Sequence, residues 1–244
     1  MSRDIVEYTA SYEHLPFEPI QAAYRRRRVL SEIARHRPAS LLEVGCGHAP
    51  LFSDLEGIAI TVVEPAPAFA ERARLGAACR PDVRVVEAFL EDAQLSPARF
   101  DMVVVGCLLH EVDDPQALLA AVRRHCDPHT VLHLSVPHAN SLHRLLAVAM
   151  GLIDSPKALS STQLTMQQRS TYDSQTLHAE LNRAGFQVTD SGSLFVKPFT
   201  HAQMQQLVDQ GFMTTAMLDG LDRLAEAQPD LGSEIWVNAR LVDG

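Results

Sequence analysis

The sequence predicts an α/β protein in which a doubly wound, mostly parallel sheet of seven strands carries helices on both faces. Three observations lead there. Short, near-continuous apolar runs recur along the chain, and helical periodicity separates most of them. A glycine turn inside "LLEVGCGHAPLF", residues 41–52, follows the first run directly. Strands covered on both faces read as unbroken apolar runs, and helices between them imply parallel pairing. Ligands of such a sheet lie at the carboxyl ends of its strands.

Residues 18–36 read as a helix, with Ile20, Ala23, Tyr24, Val29, Leu30 and Ile33 at helical spacing and Pro38 as its stop. Strands follow at 40–44, 58–63, 83–86, 100–105 and 130–136, alternating with helices near 66–76 and 115–125. Beyond Pro137 the alternation loosens. A helix is expected over 140–153, broken by Asp154-Ser155-Pro156. The polar stretch up to Thr171 has the composition of a surface loop or of a lid. A helix over 173–184 closes on Gly185, a good C-terminal cap. A strand over 186–196 is interrupted by Gly192, residues 200–227 read as helical, and 234–242 alternate as a last strand. No internal repeat is visible. The expected organisation is one domain, with a core of about 38–136, 173–196 and 234–242. Insertions of about 1–37, 138–172 and 197–233 would cap the strand ends, and an enclosed pocket points to a small molecule as partner.

The 244 residues can bury a full core, and 46 % hydrophobic with 21 % charged residues is ordinary for a soluble globular chain. A net charge of −9 argues against a nucleic-acid partner, which would need clustered cations. The one basic run, Arg25 to Arg28, points in four directions on a helix and reads as a solvated face with one inward arginine. Cys46, Cys79, Cys107 and Cys126 have neither zinc-knuckle nor disulfide-framework spacing, which fits a reduced cytoplasmic setting. No signal-peptide core and no run near the ~18 apolar residues of a membrane span is present, so no membrane partner is expected.

Strand, glycine turn and helix place backbone N–H groups at an anion-binding position. A dinucleotide fingerprint uses three glycines to admit its pyrophosphate, and here Gly45 and Gly47 are followed by His48, Ala49 and Pro50. Glu64, nineteen residues after Gly45, stands where a carboxylate can accept both ribose hydroxyls, a task that NAD and S-adenosylmethionine pose equally. Glu43 separates the two. An acid beside the turn repels a pyrophosphate and suits a cationic amine or sulfonium.

On these residues the chain resembles the class I S-adenosylmethionine-dependent methyltransferases, a Rossmann-like group, with "LLEVGCG", "VVEP", "VVEAFLED" and "FDMVVVGCLLHEV" as the matching segments. The resemblance implies S-adenosylmethionine as cofactor. It implies that Gly45 and Gly47 flank the methionine moiety, that Glu64 holds the ribose, and that Phe89, Leu90 and Glu91 border the adenine, with Glu43, Cys46, Pro65 and Cys107 as further cofactor-binding candidates. Relatives often carry an acid where Phe89 stands, so that contact would be apolar or through the backbone. The wider chain is similar to a bacterial group with "FE…YRR", "GCG-x-x-PLF", "LLHEV", "PNA-x-SxHRLLA", "KPF" before "QM", and "GSEI". Here these are Phe17-Glu18 with Tyr24-Arg25-Arg26, "GCGHAPLF", "LLHEV", "PHANSLHRLLA", "KPFTHAQM" and "GSEIWVN", with His138 departing from asparagine. The likeness names a reaction and leaves the acceptor open.

Methyl transfer is an in-line displacement, so alignment is most of what a protein contributes, with a base where an O–H or N–H acceptor loses its proton. His110 and Glu111, after the fourth strand, are the catalytic candidates, against a structural role in that loop. His143 and Arg144 fall in the first turn of the next helix, which Asn140 or Ser141 can cap. They form a candidate cradle for a carboxylate or phosphate of an anionic acceptor, the alternative being that Arg144 pairs with a surface acid while His143 packs. His138, Tyr12, Tyr24 and Lys197 are further substrate-binding candidates, beside Tyr8, Glu18 and His201. His133, His138 and His143 recur every five residues, a spacing that suits neither a strand face nor a helix face, so no metal is expected. The expected activity is methyl transfer to an O or N atom, and less readily C, of a small, anionic metabolite or a natural-product or sugar precursor. An NAD-type oxidoreductase or a catalytically silent cofactor-binding module are the alternatives. The sequence leaves the oligomeric state, including a homodimer, and the role of His48 open.

Overall fold

The computed structural model describes residues 5, 9, 12, 15–96 and 98–242. Tyr8 lies outside these described residues. Seven strands form one sheet: β1 (Ser40–Val44), β2 (Ala59–Val63), β3 (Val83–Val86), β4 (Met102–Gly106), β5 (Val131–Pro137), β6 (Phe186–Leu194) and β7 (Glu234–Leu241). Their order is β3-β2-β1-β4-β5-β7-β6; the first five are parallel, and β7 runs antiparallel between β5 and β6. The helices are α1 (Glu18–His36), α2 (Pro67–Gly76), α3 (Pro115–Arg124), α4 (Leu142–Ala149), α5 (Ser161–Thr165), α6 (Ser174–Arg183), α7 (His201–Asp209) and α8 (Thr215–Ala227).

Why the strands read as unbroken apolar runs is visible in the packing. Leu42, Val44, Val103 and Val105 face one core with α3 and α6, while Leu41, Ile60, Val62 and Val104 face a second with α1. Alternate residues of each strand thus enter opposite layers, and neither layer tolerates a polar side chain without a partner. A third apolar cluster, with Phe17, Tyr24, Phe195, Met204 and Trp236, ties α1 to α7 and α8.

Several expectations are corrected. The helix after β5 spans only Leu142–Ala149, because the chain turns at Gly151 with φ 72°. Ser141 sits at its N-cap, but its hydroxyl makes no capping bond. Residues 200–227 form two helices separated at Gly211 (φ 71°), each opened by a threonine cap. The irregularity of β6 is a register shift between Val188 and Asp190, whereas Gly192 pairs in register with Trp236. Glycine is required there because a Cβ would stand 2.8 Å from the Trp236 ring.

The arginine run is also more deeply used than expected. Arg25 pairs with Glu18 and Glu234, Arg26 with Asp54, and Arg28 with Glu32 while stacking over Trp236. Only Arg27, which pairs with Asp219, keeps a mostly exposed side chain. Among the described residues no helix is long and apolar enough to cross a membrane, and the four cysteines are free.

Candidate active site

At the carboxyl ends of β1, β2 and β4 opens a cavity of about 1230 Å³. Its walls come from the glycine turn, α1, the chain from Pro137 to Thr171, the start of α7, and Ser233 with Glu234. Pockets for one small ligand are typically ~300–1,000 Å³, so there is room here for two ligands side by side.

Gly45 and Gly47 both adopt left-handed φ, 75° and 52°, which turns the backbone of the loop toward the cavity. Nothing lies within 4 Å of where a Gly47 Cβ would stand, so a ligand can approach the main chain closely. The two acids are placed as expected but partnered differently. Glu64 accepts the N–H groups of Cys46 (2.9 Å) and Gly47 (3.1 Å) on Oε2, and that of Ala66 (2.9 Å) on Oε1. A carboxylate offers about four acceptor positions, so one remains for a hydroxyl unless the loop lets go. Both oxygens of Glu43 take the Leu51 N–H, at 3.1 and 3.0 Å. Burial pushes its carboxyl up to about 8, against the pull of that amide and of Arg26. Glu43 therefore braces the back of the loop, a correction to its reading as a fixed negative charge for a sulfonium.

His110 and Glu111 leave β4 into the cavity wall, 2 % and 6 % exposed, with His110 Nε2 3.7 Å from Glu111 Oε1. The His110 carbonyl accepts the N–H groups of Arg169 and Ser170, which lays the 154–171 segment across the end of β4. Cys107 takes φ 49°, rare for a residue with a side chain, and so presents Sγ to Glu234 Oε2 at 3.3 Å.

A buried polar cluster forms the wall on the α1 side, and its centre escaped the sequence reading. Arg25 grips Glu234 through Nε (2.7 Å) and Nη2 (2.6 Å), and Glu18 at 3.1 Å. Gln21 donates to Glu234 (2.6 Å) and accepts from Lys197 Nζ (3.1 Å). Lys197 also donates to His201 Nδ1 (2.9 Å), whose Nε2 lies 3.5 Å from Glu18. Burial opposes the ionisation of Glu18, yet Arg25 and His201 hold it down at about 2. Burial likewise pulls Lys197 down to about 8, although Glu18 and Glu234 resist. Tyr12 donates to Glu18 at 3.2 Å, and burial and that carboxylate both raise its phenol. The signal that could have found Arg25 and Glu234 was their place in "YRR" and "GSEI", the latter putting a charge at the first residue of an otherwise apolar sheet strand.

Other predicted residues are not brought together. Tyr24 lies in the third apolar cluster with its hydroxyl on Asp219 (2.8 Å), away from the cavity. Phe89, Leu90 and Glu91 do not line the cavity: Leu90 is core, and Phe89 is 49 % exposed. Arg144 lines it, but its guanidinium is spent on the Pro156 and Ala158 carbonyls and on Gln163 Oε1 (2.6 Å). It fastens a loop, and neither the anion cradle nor the surface ion pair is what it forms. His143 faces the cavity with Nδ1 buried and unpartnered, and burial together with Lys197 holds the ring well below its usual range. His138 hydrogen-bonds the Gly232 carbonyl at 3.1 Å. His133 bonds Asn238 Oδ1 at 2.8 Å inside the sheet core, where burial lowers it to about 4. The three histidines thus lie in three different environments, and no group of described His, Cys, Asp and Glu residues could hold a metal ion. His48 stacks on Tyr12 (5.4 Å, 22°), meets Phe69 edge-on at 4.6 Å and contacts Arg72, forming an aromatic rim at the mouth of the glycine turn.

Comparison with known proteins agrees with this geometry. The family model described as a methyltransferase domain matches residues 19–191. No curated protein sequence matches the chain. Among solved structures, the 1,6-didemethyltoxoflavin N1-methyltransferase of Burkholderia thailandensis, which holds 1,6-didemethyltoxoflavin and S-adenosylhomocysteine, is 19 % identical with a TM-score of 0.60. It covers 93 % of this chain and 82 % of its own. An S-adenosylmethionine-dependent methyltransferase of Mesorhizobium loti is 16 % identical, with a TM-score of 0.57 over 86 % of this chain and 96 % of that one. The N-methyltransferase NodS of Bradyrhizobium japonicum, in complex with S-adenosylhomocysteine, is 11 % identical, with a TM-score of 0.53 over 89 % and 87 %. At these identities the likeness concerns the fold, and the chemistry has to be argued from the site.

Proposed function

The chain belongs to the methyltransferase-domain family, and on that premise we propose that it transfers the methyl group of S-adenosylmethionine to an oxygen or nitrogen of a small molecule enclosed in the cavity. The observation that carries this is the glycine turn and Glu64 opening into one cavity roomy enough for donor and acceptor. The donor, when bound, supplies a methyl group already activated on a sulfonium.

The residues fit that group. The left-handed backbone at Gly45 and Gly47 lets it lie against the main chain, and the remaining acceptor position of Glu64 takes a ribose hydroxyl. Cys46, Pro65 and Cys107 line the same part of the cavity, whereas Phe89 to Glu91 have no role in this reading. His110, beside Glu111 at the end of β4, takes the proton of an O–H or N–H acceptor. The described residues within about 1–37, 138–172 and 197–233 act as a cap that excludes water and selects a small acceptor. One domain, acting in the cytoplasm, suffices for this function.

Calorimetry with S-adenosylhomocysteine, followed by transfer of labelled methyl from the donor into a metabolite extract, tests the reading. One molecule bound per chain and a labelled small product are expected. Binding without transfer into any fraction would leave a silent cofactor-binding module, and absence of binding would end the proposal.

A further inference from the structure

Lys197 is a fully buried ammonium, 1 % exposed, on the cavity wall. Such groups are almost always paired, because an isolated charge is expensive to desolvate. The nearby carboxylates, Glu18 and Glu234, act on it through space but hydrogen-bond Arg25 instead. Among the described residues Lys197 has only neutral partners, the amide oxygen of Gln21 and the His201 ring. Two of its three N–H bonds are thereby used. His143, whose Nδ1 is buried without a partner, lines the same cavity and is kept neutral by burial and by the charge of Lys197. A neutral imidazole keeps one N–H to donate.

We propose that the methyl acceptor carries a carboxylate or equally monoanionic oxygen group, received in the cavity by the Lys197 ammonium and the His143 N–H. The proposal rests on the methyl-transfer reading for the word acceptor, while the anion site stands on the geometry alone. Glu18, Glu234, Arg25 and Lys197 together sum to zero charge, so a monoanion leaves the wall one unit negative and a phosphate dianion two. That favours the carboxylate type. An ammonium-bearing acceptor meets like charge at Lys197, and an uncharged one leaves the ammonium with no carboxylate in direct contact. His201 relays the hydrogen bond of Lys197 to Glu18, which fixes Nζ in place without neutralising it.

The test uses 13C-labelled acetate, small enough for any carboxylate site, with acetamide as its uncharged counterpart. NMR line broadening is followed on the full chain, with and without saturating S-adenosylhomocysteine. Saturable broadening by acetate and none by acetamide is expected at pH 7, with Lys197→Met weakening acetate at least tenfold. Should that variant fail to fold, the unaltered protein decides: acetate should bind about tenfold more weakly at pH 9 than at pH 7, as an ammonium titrating at about 8 loses its proton. Acetate that does not bind, binds equally to Lys197→Met, or binds independently of pH overturns the proposal. S-adenosylhomocysteine bound without acetate removes this inference and keeps the methyl-transfer reading. Acetate bound without S-adenosylhomocysteine does the reverse.

Discussion

Glu64→Ala is the most informative single change, because the carboxylate serves the loop as well as any ligand. It is 4 % exposed and accepts three backbone N–H groups at 2.9, 3.1 and 2.9 Å. Each hydrogen bond to a charged acceptor contributes about 1.5–3 kcal/mol, and water entering from the cavity can replace part of the loss. The expected destabilisation therefore falls below the roughly 4.5–9 kcal/mol of the three together, at about 3–4 kcal/mol, a large fraction of the ~5–15 kcal/mol that holds a domain together. Glu64→Gln keeps one carbonyl oxygen but turns an amide donor toward a backbone donor, so it should lose about half as much. Urea unfolding without ligand measures both. Affinity for S-adenosylhomocysteine, measured where the variants are folded, should fall about 10- to 100-fold from the lost hydroxyl contact. An Ala variant unfolding at the same urea concentration as the unaltered protein would refute the bracing role. Unchanged affinity would refute the ribose contact.

Glu43, whose folded pKa lies above its unfolded value, keeps its proton in the native state between pH 4.5 and about 8. Stability should fall as pH rises through that window and level off above it, and Glu43→Gln should flatten the slope in unfolding measurements at pH 5, 6.5 and 8. Arg144→Met should release the 154–171 segment to limited proteolysis and leave affinity for S-adenosylhomocysteine within twofold; a variant as resistant as the unaltered protein would remove its fastening role. His110→Ala, once an acceptor is known, should lower kcat roughly 10²-fold or more with cofactor affinity unchanged, and it keeps the backbone carbonyl that accepts from Arg169 and Ser170. Unchanged turnover would make His110 structural.

The sequence by itself determined what local chemistry and periodicity control. The five parallel strands, the glycine turn, Glu64 at the end of β2 and His110 at the end of β4 all lie where a strand pattern and a turn place them, with no long-range information needed. It overstated what depends on side-chain partners. Glu43 and Arg144 were assigned to ligands because an acid beside a turn and a cation at a helix start can serve them. In the folded chain Leu51 and the 156–163 loop reach these groups first. Only the tertiary structure brought Glu18, Gln21 and Arg25 of α1 against Lys197 and Glu234, some 170–215 positions away in sequence. Their meeting follows from β7 inserting between β5 and β6 and from α1 packing over the strand ends, a long-range arrangement that no window of periodicity contains. A buried ammonium with no carboxylate in direct contact is a property of that meeting, and so the sequence could name Lys197 and His143 as candidates for an anionic acceptor while only the fold shows which partners they have.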